Sequence, residues 1–198
     1  MSTTRKAPLL RRLRRFGRTR RAVAIIEFTL IAPFMLSLFF GAVEVGQLLT
    51  IDRKTSQTAR AIADLSSQLR TPQPSDATKT VPGCWNTAAP TPEEAKIAGL
   101  LDVTDAVISP YSAAELKVVV SCLAVDKTGI ATVKWSRARR GSERAPGSTV
   151  AVPTGLADTT KTTYWLMGET TYVYTPTIGY VLTGSFNLED KVYMRSRS

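Results

Sequence analysis

The chain has 198 residues, with 26 Lys and Arg against 16 Asp and Glu, two cysteines and no histidine. That length holds one ordinary domain plus an appendage, and the missing histidine excludes a Ser-His-Asp or Cys-His relay and any histidine metal ligand, while two cysteines cannot build a four-cysteine zinc site. At 43% hydrophobic residues the chain is too apolar for a disordered tail and too polar for a multi-span membrane protein, so composition points away from an enzyme.

The charge is unevenly placed. Arg5, Lys6, Arg11, Arg12, Arg14, Arg15, Arg18, Arg20 and Arg21 crowd the first residues without an acidic neighbour, and the rest of the chain is nearly balanced. A basic head of this kind can neutralise phosphates, but it lacks interleaved aromatics and runs directly into an apolar segment, so nucleic acid is not the expected partner. From Ala22 to Val43 the chain reads AVAIIEFTLIAPFMLSLFFGAV, with Glu27 as its one ionisable residue. At about 1.5 Å per residue this run spans roughly 33 Å, enough to cross a hydrocarbon core, and it exceeds the apolar region of an ordinary secretory signal. The arginines ahead of it predict a cytoplasmic N-terminus and delivery of the remainder to the far side of the membrane.

Glu27 is the unusual residue. A carboxylate at the centre of a membrane helix costs about 2.5–3.5 kcal/mol on insertion scales, less near a boundary. It is either solvated there, paired with a nearby arginine, or functional. Pro33 removes an intrahelical hydrogen bond and predicts a kink.

A basic leader ending RTRRA, then VAIIEF, then an apolar stretch resembles the class III signal peptides of type IV pilins. The Glu27-Phe28 pair, the short leader and the APF turn at Pro33 resemble most closely the TadE-type pseudopilins of the tight-adherence (Tad/Flp) pilus system. The resemblance implies cleavage by a prepilin peptidase between Ala22 and Val23, with Ala22 standing where the family usually has glycine. Glu27 then becomes the fifth residue of the mature chain and Phe28 the sixth. Cleavage leaves a charged α-amine on Val23 at a helix N-terminus, where the helix dipole disfavours positive charge. The carboxylate of Glu27 on a neighbouring subunit is the candidate to neutralise it and so set the register between subunits.

Beyond the membrane, Leu48, Ile51, Thr55, Thr58, Ile62, Leu65 and Leu69 follow at alternating spacings of three and four, a heptad-like seam on a helix continuing from the membrane. The expected use of that seam is packing on the chain's own domain rather than on a partner coil. Residues 71–92 hold Pro72, Pro74, Pro82, Pro90 and Pro92 and read as a surface connection. A short helix is predicted from Pro92, with Glu93 and Glu94 suited to its first turn, to about Leu101.

Strand texture follows. LKVVVSCLAVD and GIATVKWS read as a hairpin turning at Lys127-Thr128-Gly129, and GETTYVYTPTI and EDKVYMRSR complete the set. Arg137, Arg139, Arg140 and Arg144 read as a solvated loop rather than a grip on an anionic polymer. Tyr172 and Tyr174 alternate onto one sheet face, expected to pack on the helix. Cys84 and Cys122 lie beyond the membrane span and are expected to form a disulfide in an oxidising compartment, with two buried free thiols as the alternative.

These readings give an α+β, pilin-like chain: a long N-terminal helix, transmembrane in its first half, packed on a small antiparallel sheet. Its parts are a basic cytoplasmic leader (1–22), a membrane helix (23–47), a helix continuing outside (48–70) and a periplasmic or extracellular α+β domain (71–198). The resemblance implies a structural minor pilin in the biogenesis of a Tad/Flp type IVc pilus for surface adhesion, without cofactor or metal. Its implied partners are a prepilin peptidase, other pilins and pseudopilins, the inner-membrane assembly platform and the lipid bilayer. The alternatives are an uncleaved, inner-membrane-anchored scaffold protein with a periplasmic interaction domain and, disfavoured by the missing cleavage pattern, a secreted binding module.

Overall fold

The computed structural model describes residues 20–68, 70–73, 76–82, 92–179 and 182–195. In chain order these form helix α1 (Arg20–Ser67), strands β1 (Arg70–Gln73) and β2 (Asp76–Pro82), helix α2 (Pro92–Ile108), a 3-10 turn (Ala113–Glu115), and strands β3 (Leu116–Val125), β4 (Ala131–Arg139), β5 (Thr149–Val150), β6 (Thr163–Tyr174) and β7 (Phe186–Arg195). The architecture is α+β. The chain divides into two compact units, one of residues 1–46 with Pro176–Thr183, the other of Gln47–Thr175 with Gly184–Ser198.

The larger unit is built on a five-stranded antiparallel sheet in the order β5-β4-β3-β6-β7. The β3–β4 hairpin turns where the Lys-Thr-Gly signal predicts. The Asp126 carboxylate accepts the N–H groups of Thr128 and Ile130, both at 2.9 Å, and Gly129 takes the positive φ of 87° that closes the turn. Those bonds, with the Thr128 hydroxyl first among them, hold the Asp126 carboxyl below its ordinary pKa.

One face of the sheet meets the second half of α1. Along β3 and β6 the alternate residues Leu116, Val118, Val120, Cys122, Leu166, Tyr172 and Tyr174 join Ile51 and Ile62 of α1 and Ile97, Leu101 and Ile108 of α2 in one core. Each fully buried Ile, Leu or Val contributes about 1.5–3 kcal/mol by leaving water. The seam thus packs on the chain's own sheet, but its outer end departs from the heptad. Ile51, Thr55, Thr58, Ile62 and Ser66 are buried, whereas Leu65 is exposed and Leu69 lies outside the described residues. A straight helix repeats every 3.6 residues rather than 3.5, so its buried stripe turns away from a heptad extrapolation by about 20° per heptad, in the direction that favours Ser66 over Leu65.

Three contacts fix where α1 lies on β6. Tyr174 Oη reaches Gln47 Oε1 at 3.4 Å, Thr170 Oγ1 donates to the carbonyl of Thr55 at 3.0 Å, and Gly168 faces Ala59, Ile62 and Ala63. The helix numbers rise as the strand numbers fall, so the two elements run in opposite directions. Lys54 holds α2 to the same helix by donating its ammonium to the carbonyls of Val107 (3.0 Å) and Ser109, at the C-terminal end of α2 where a cation is favoured.

On the other face Leu123, Val125, Ala131, Val133 and Met167 form a second, smaller core, closed by Val150, Val152 and Ala157 from the segments after β4. Trp165 Nε1 donates to the carbonyl of Leu156 at 3.0 Å and pins that cover.

Two segments differ from expectation. The proline-rich connection contains a two-stranded ribbon, with Pro72 opposite Thr80 and Arg70 opposite Pro82. A ribbon of two strands is all edge, so proline is tolerated wherever its missing N–H faces away from the partner. Helix α2 runs past Leu101 to Ile108, because Ile97, Leu101, Thr104 and Ile108 keep a buried stripe through a stretch whose polar and β-branched residues hide it.

A Cβ at position 168 would sit 2.7 Å from the carbonyl oxygen of Ala59. Gly168→Val is therefore expected to destabilise the chain by about 1–3 kcal/mol through overpacking, seen as a lower denaturation midpoint of the detergent-solubilised protein; an unchanged midpoint would contradict this close approach.

Candidate functional site

Among the described residues, the first half of α1 has no apolar core around its large side chains. Ile25, Phe28, Leu30, Phe34, Leu38 and Phe39 are all more than half exposed, with Phe28 at 73%. With the exposed Ile26 and Leu36, these positions point in every direction around the helix, unlike the one-sided stripe of the second half. By length and composition the helix can cross a membrane. An uncovered apolar surface of this extent is a site for lipid or for other helices, not for water.

Its two hydroxyl groups are settled within the helix. Thr29 Oγ1 donates to the carbonyl of Ile25 at 2.7 Å and Ser37 Oγ to that of Pro33 at 2.8 Å, so neither hydroxyl needs an external partner in an apolar medium. Pro33 lies inside α1, which continues as helix on both sides of it.

The predicted cleavage pair, Ala22 and Val23, lies in the first turn of the described helix, and Val23 is exposed. Glu27 and Phe28 follow one turn later, both exposed, and among the described residues Glu27 makes no hydrogen bond or ion pair. Cys122 is fully buried in β3 and is not a free thiol; its expected partner Cys84 lies outside the described residues.

Sequence reasoning passed over Glu44. It is the first charge after the apolar run, yet its side chain is only 1% exposed. Within its unit the carboxylate accepts the backbone N–H of Gly179 at 2.7 Å and that of Leu182 at 3.2 Å. The available signal was its place in the chain: one ionisable residue between Val43 and Val45, on a helix that does not stop there.

The arginines at the end of β4 and just after it also read differently in three dimensions. Arg139 pairs with Asp102 and with Asp105 (2.6 Å), Arg140 pairs with Asp105 and donates to the Leu116 carbonyl at 2.9 Å, and Arg144 forks onto Glu169 at 2.7–3.0 Å. Arg137 lies 3.6 Å from Glu143, and Lys191 adds a second cation to Glu169 at 3.1 Å. The run is a set of internal ion pairs tying α2 and the loop after β4 to the sheet, not a solvated loop. Its partners on α2 and β6 lie 25 to 37 residues away in the chain, beyond the reach of local pattern.

Hydrogen bonds from Arg140 and then Arg139 lower the Asp105 carboxyl to a pKa of about 2. With the folded value below the unfolded one, this stabilisation is present above pH 4 and is lost as pH falls toward 2. Asp105→Asn is expected to cost about 1 kcal/mol at neutral pH, discounted for solvent screening of a partly exposed pair. It should also flatten the dependence of the denaturation midpoint on pH between 4 and 2, whereas a parallel wild-type curve would remove Asp105 as the titrating group.

No curated protein and no solved structure matches the chain. Residues 22–64 match the family described as TadE-like protein. The match begins at the predicted cleavage pair and ends just short of the last turn of α1; along this helix, with its exposed apolar surface and the carboxylates Glu27 and Glu44, the chain is similar to the TadE-like family.

Proposed function

We propose that the chain is a structural minor pilin, a pseudopilin, acting in the biogenesis of a Tad/Flp type IVc pilus for surface adhesion. The carrying observation is the helix of residues 23–40, apolar and with its large side chains exposed, within the TadE-like match. A helix of this kind serves first as an inner-membrane anchor, with the N-terminus cytoplasmic and the sheet domain periplasmic. It serves next as a packing surface among other pilins on the assembly platform. The work is helix–helix packing, with no catalytic group involved.

In this reading a prepilin peptidase cuts between Ala22 and Val23. The new amine of Val23 meets the Glu27 carboxylate of a neighbouring subunit, with Phe28 packing beside it and Pro33 bending the helix past its neighbours. Two unit charges about 4 Å apart attract by about 4 kcal/mol at an effective dielectric constant of about 20, enough to choose one register over its neighbours. The exposure of Glu27 supports the assignment, since its carboxylate is not already used by the described residues.

The mature protein extracted from membranes is expected to start at Val23 by intact mass. Glu27→Ala should lower its incorporation into sheared pili by at least about tenfold, the equivalent of about 1.4 kcal/mol. A chain retaining residues 1–22 while pili form normally would instead make it an uncleaved, membrane-anchored scaffold.

Cys84 and Cys122 are assigned to one disulfide, supported by the burial of Cys122 and the lack of a free cysteine among the described residues. The chain-entropy relation gives such a link about 3–4.7 kcal/mol. Thiol labelling of the denatured chain should find no reactive cysteine before reduction and two after it; two before reduction would remove the bridge.

A further inference from the structure

Glu44 and the segment it holds have no part in the register mechanism. Counting from Val23 at about 1.5 Å per residue, Glu44 stands roughly 32 Å along α1, close to the thickness of a hydrocarbon core. If residues near Val23 mark one border of the membrane, Glu44 marks the other. A carboxylate at that depth is ordinarily hydrated, yet this one is 1% exposed and bonded to two backbone N–H groups of one short segment, Gly179 and Leu182.

That segment, Pro176–Thr183, reads PTIGYVLT and carries no charge. It belongs to the same compact unit as the apolar half of α1. Ile178 is 47% exposed beside the Gly179 amide that Glu44 binds, and Gly179 takes a φ of 63°, a left-handed conformation that glycine adopts without strain. Irregular backbone is costly near hydrocarbon because its N–H groups lose water. Here two of those groups are satisfied by a carboxylate of the membrane helix itself, and the same two bonds replace the water that Glu44 would otherwise hold.

We propose that Pro176–Gly179, with Leu182 held beside it by the Glu44 clamp, forms a lipid-interface site that rests in the headgroup boundary of the leaflet farther from residues 1–21. The occupant of its apolar side is the bilayer, because its exposed isoleucine is the neighbour of the amide held by Glu44, itself flanked by the exposed Val43 and Val45 of the apolar helix, and because nothing in the segment carries charge for a polar partner. The loop sets how deeply the helix sits: α1 cannot slide further in without burying the clamp, nor out without exposing Ile178. This rests on the anchor reading of α1.

The full chain, reconstituted in phosphatidylcholine–phosphatidylglycerol vesicles, is tested with a photoreactive benzophenone residue replacing Ile178 or, separately, Phe34. Lipid adducts are read by mass spectrometry of the intact protein. Adducts at both positions are expected. Adducts at Phe34 with none at Ile178, or only protein–protein adducts at Ile178, would overturn the loop assignment while leaving the anchor standing; none at Phe34 would overturn both. Adding Glu44→Ala to the Ile178 probe should lower its lipid adducts several-fold and leave those at Phe34 unchanged, and Glu44→Gln, which keeps one acceptor oxygen, should fall between. Equal yields in all three would remove Glu44 as the clamp.

Discussion

The close approach of β6 to α1 at Gly168 governs the larger unit. With no Cβ at that position the strand backbone comes near enough to the Ala59 turn for Ala63 and Ile62 to fill the gap. One fixed point and two opposed directions then set the rest. Thr170 meets Thr55 and Tyr174 meets Gln47, so the sheet's contacts with the helix are registered from Ala63 back to Gln47. Small residues at the contact make this possible: the buried stripe uses Thr55, Thr58 and Ala59 between Ile51 and Ile62. A larger stripe would push the strand away and lose the dispersion contacts that a close-packed interface collects.

Buried and half-buried carboxylates among the described residues follow a single rule. Each one drawn out of water has donors in place. Glu169 has the fork of Arg144 and the ammonium of Lys191, Asp105 has Arg139 and Arg140, and Glu44 has two backbone amides. The first two fasten the covers of the sheet, α2 on one side and the loop after β4 on the other. They hold position rather than add greatly to stability, because desolvating both partners offsets most of the attraction.

What the sequence disclosed depended on how far away the deciding partner lay. The apolar run and the stripe of α1 are periodic, and the period carries its own meaning; only the final turn went astray, where a heptad and a true helix part at Leu65 and Ser66. The β3–β4 hairpin was legible because Asp126, Thr128 and Gly129 make the turn among themselves. Pro72 and Pro82 concealed a ribbon, since the rule against proline in strands weakens when both strands are edges. Arg139, Arg140 and Arg144 concealed their role because Asp105 and Glu169 are brought to them only by the folded sheet. Glu44 was the hardest to see: its donors are main-chain groups 135 and 138 residues away, and a backbone amide has no letter in a sequence.

Glu27 and Glu44 stand on one helix about 25 Å apart and are treated in opposite ways. Glu44 is enclosed by its own chain, its oxygens occupied, so it can act only within the molecule. Glu27 is exposed and makes no bond among the described residues. A helix that left both carboxylates open would be poor at entering a bilayer, and one that closed both would have no means of telling one neighbour's register from the next. Apolar packing cannot supply that choice, because a surface apolar on every side gains nearly as much from a helix shifted by one turn as from one in place. A single charge that must find its opposite does discriminate, and its penalty in the membrane is modest where Glu27 sits, near the end of the run. That asymmetry is the physical ground for assigning contact between subunits to Glu27 and the placing of the helix to Glu44.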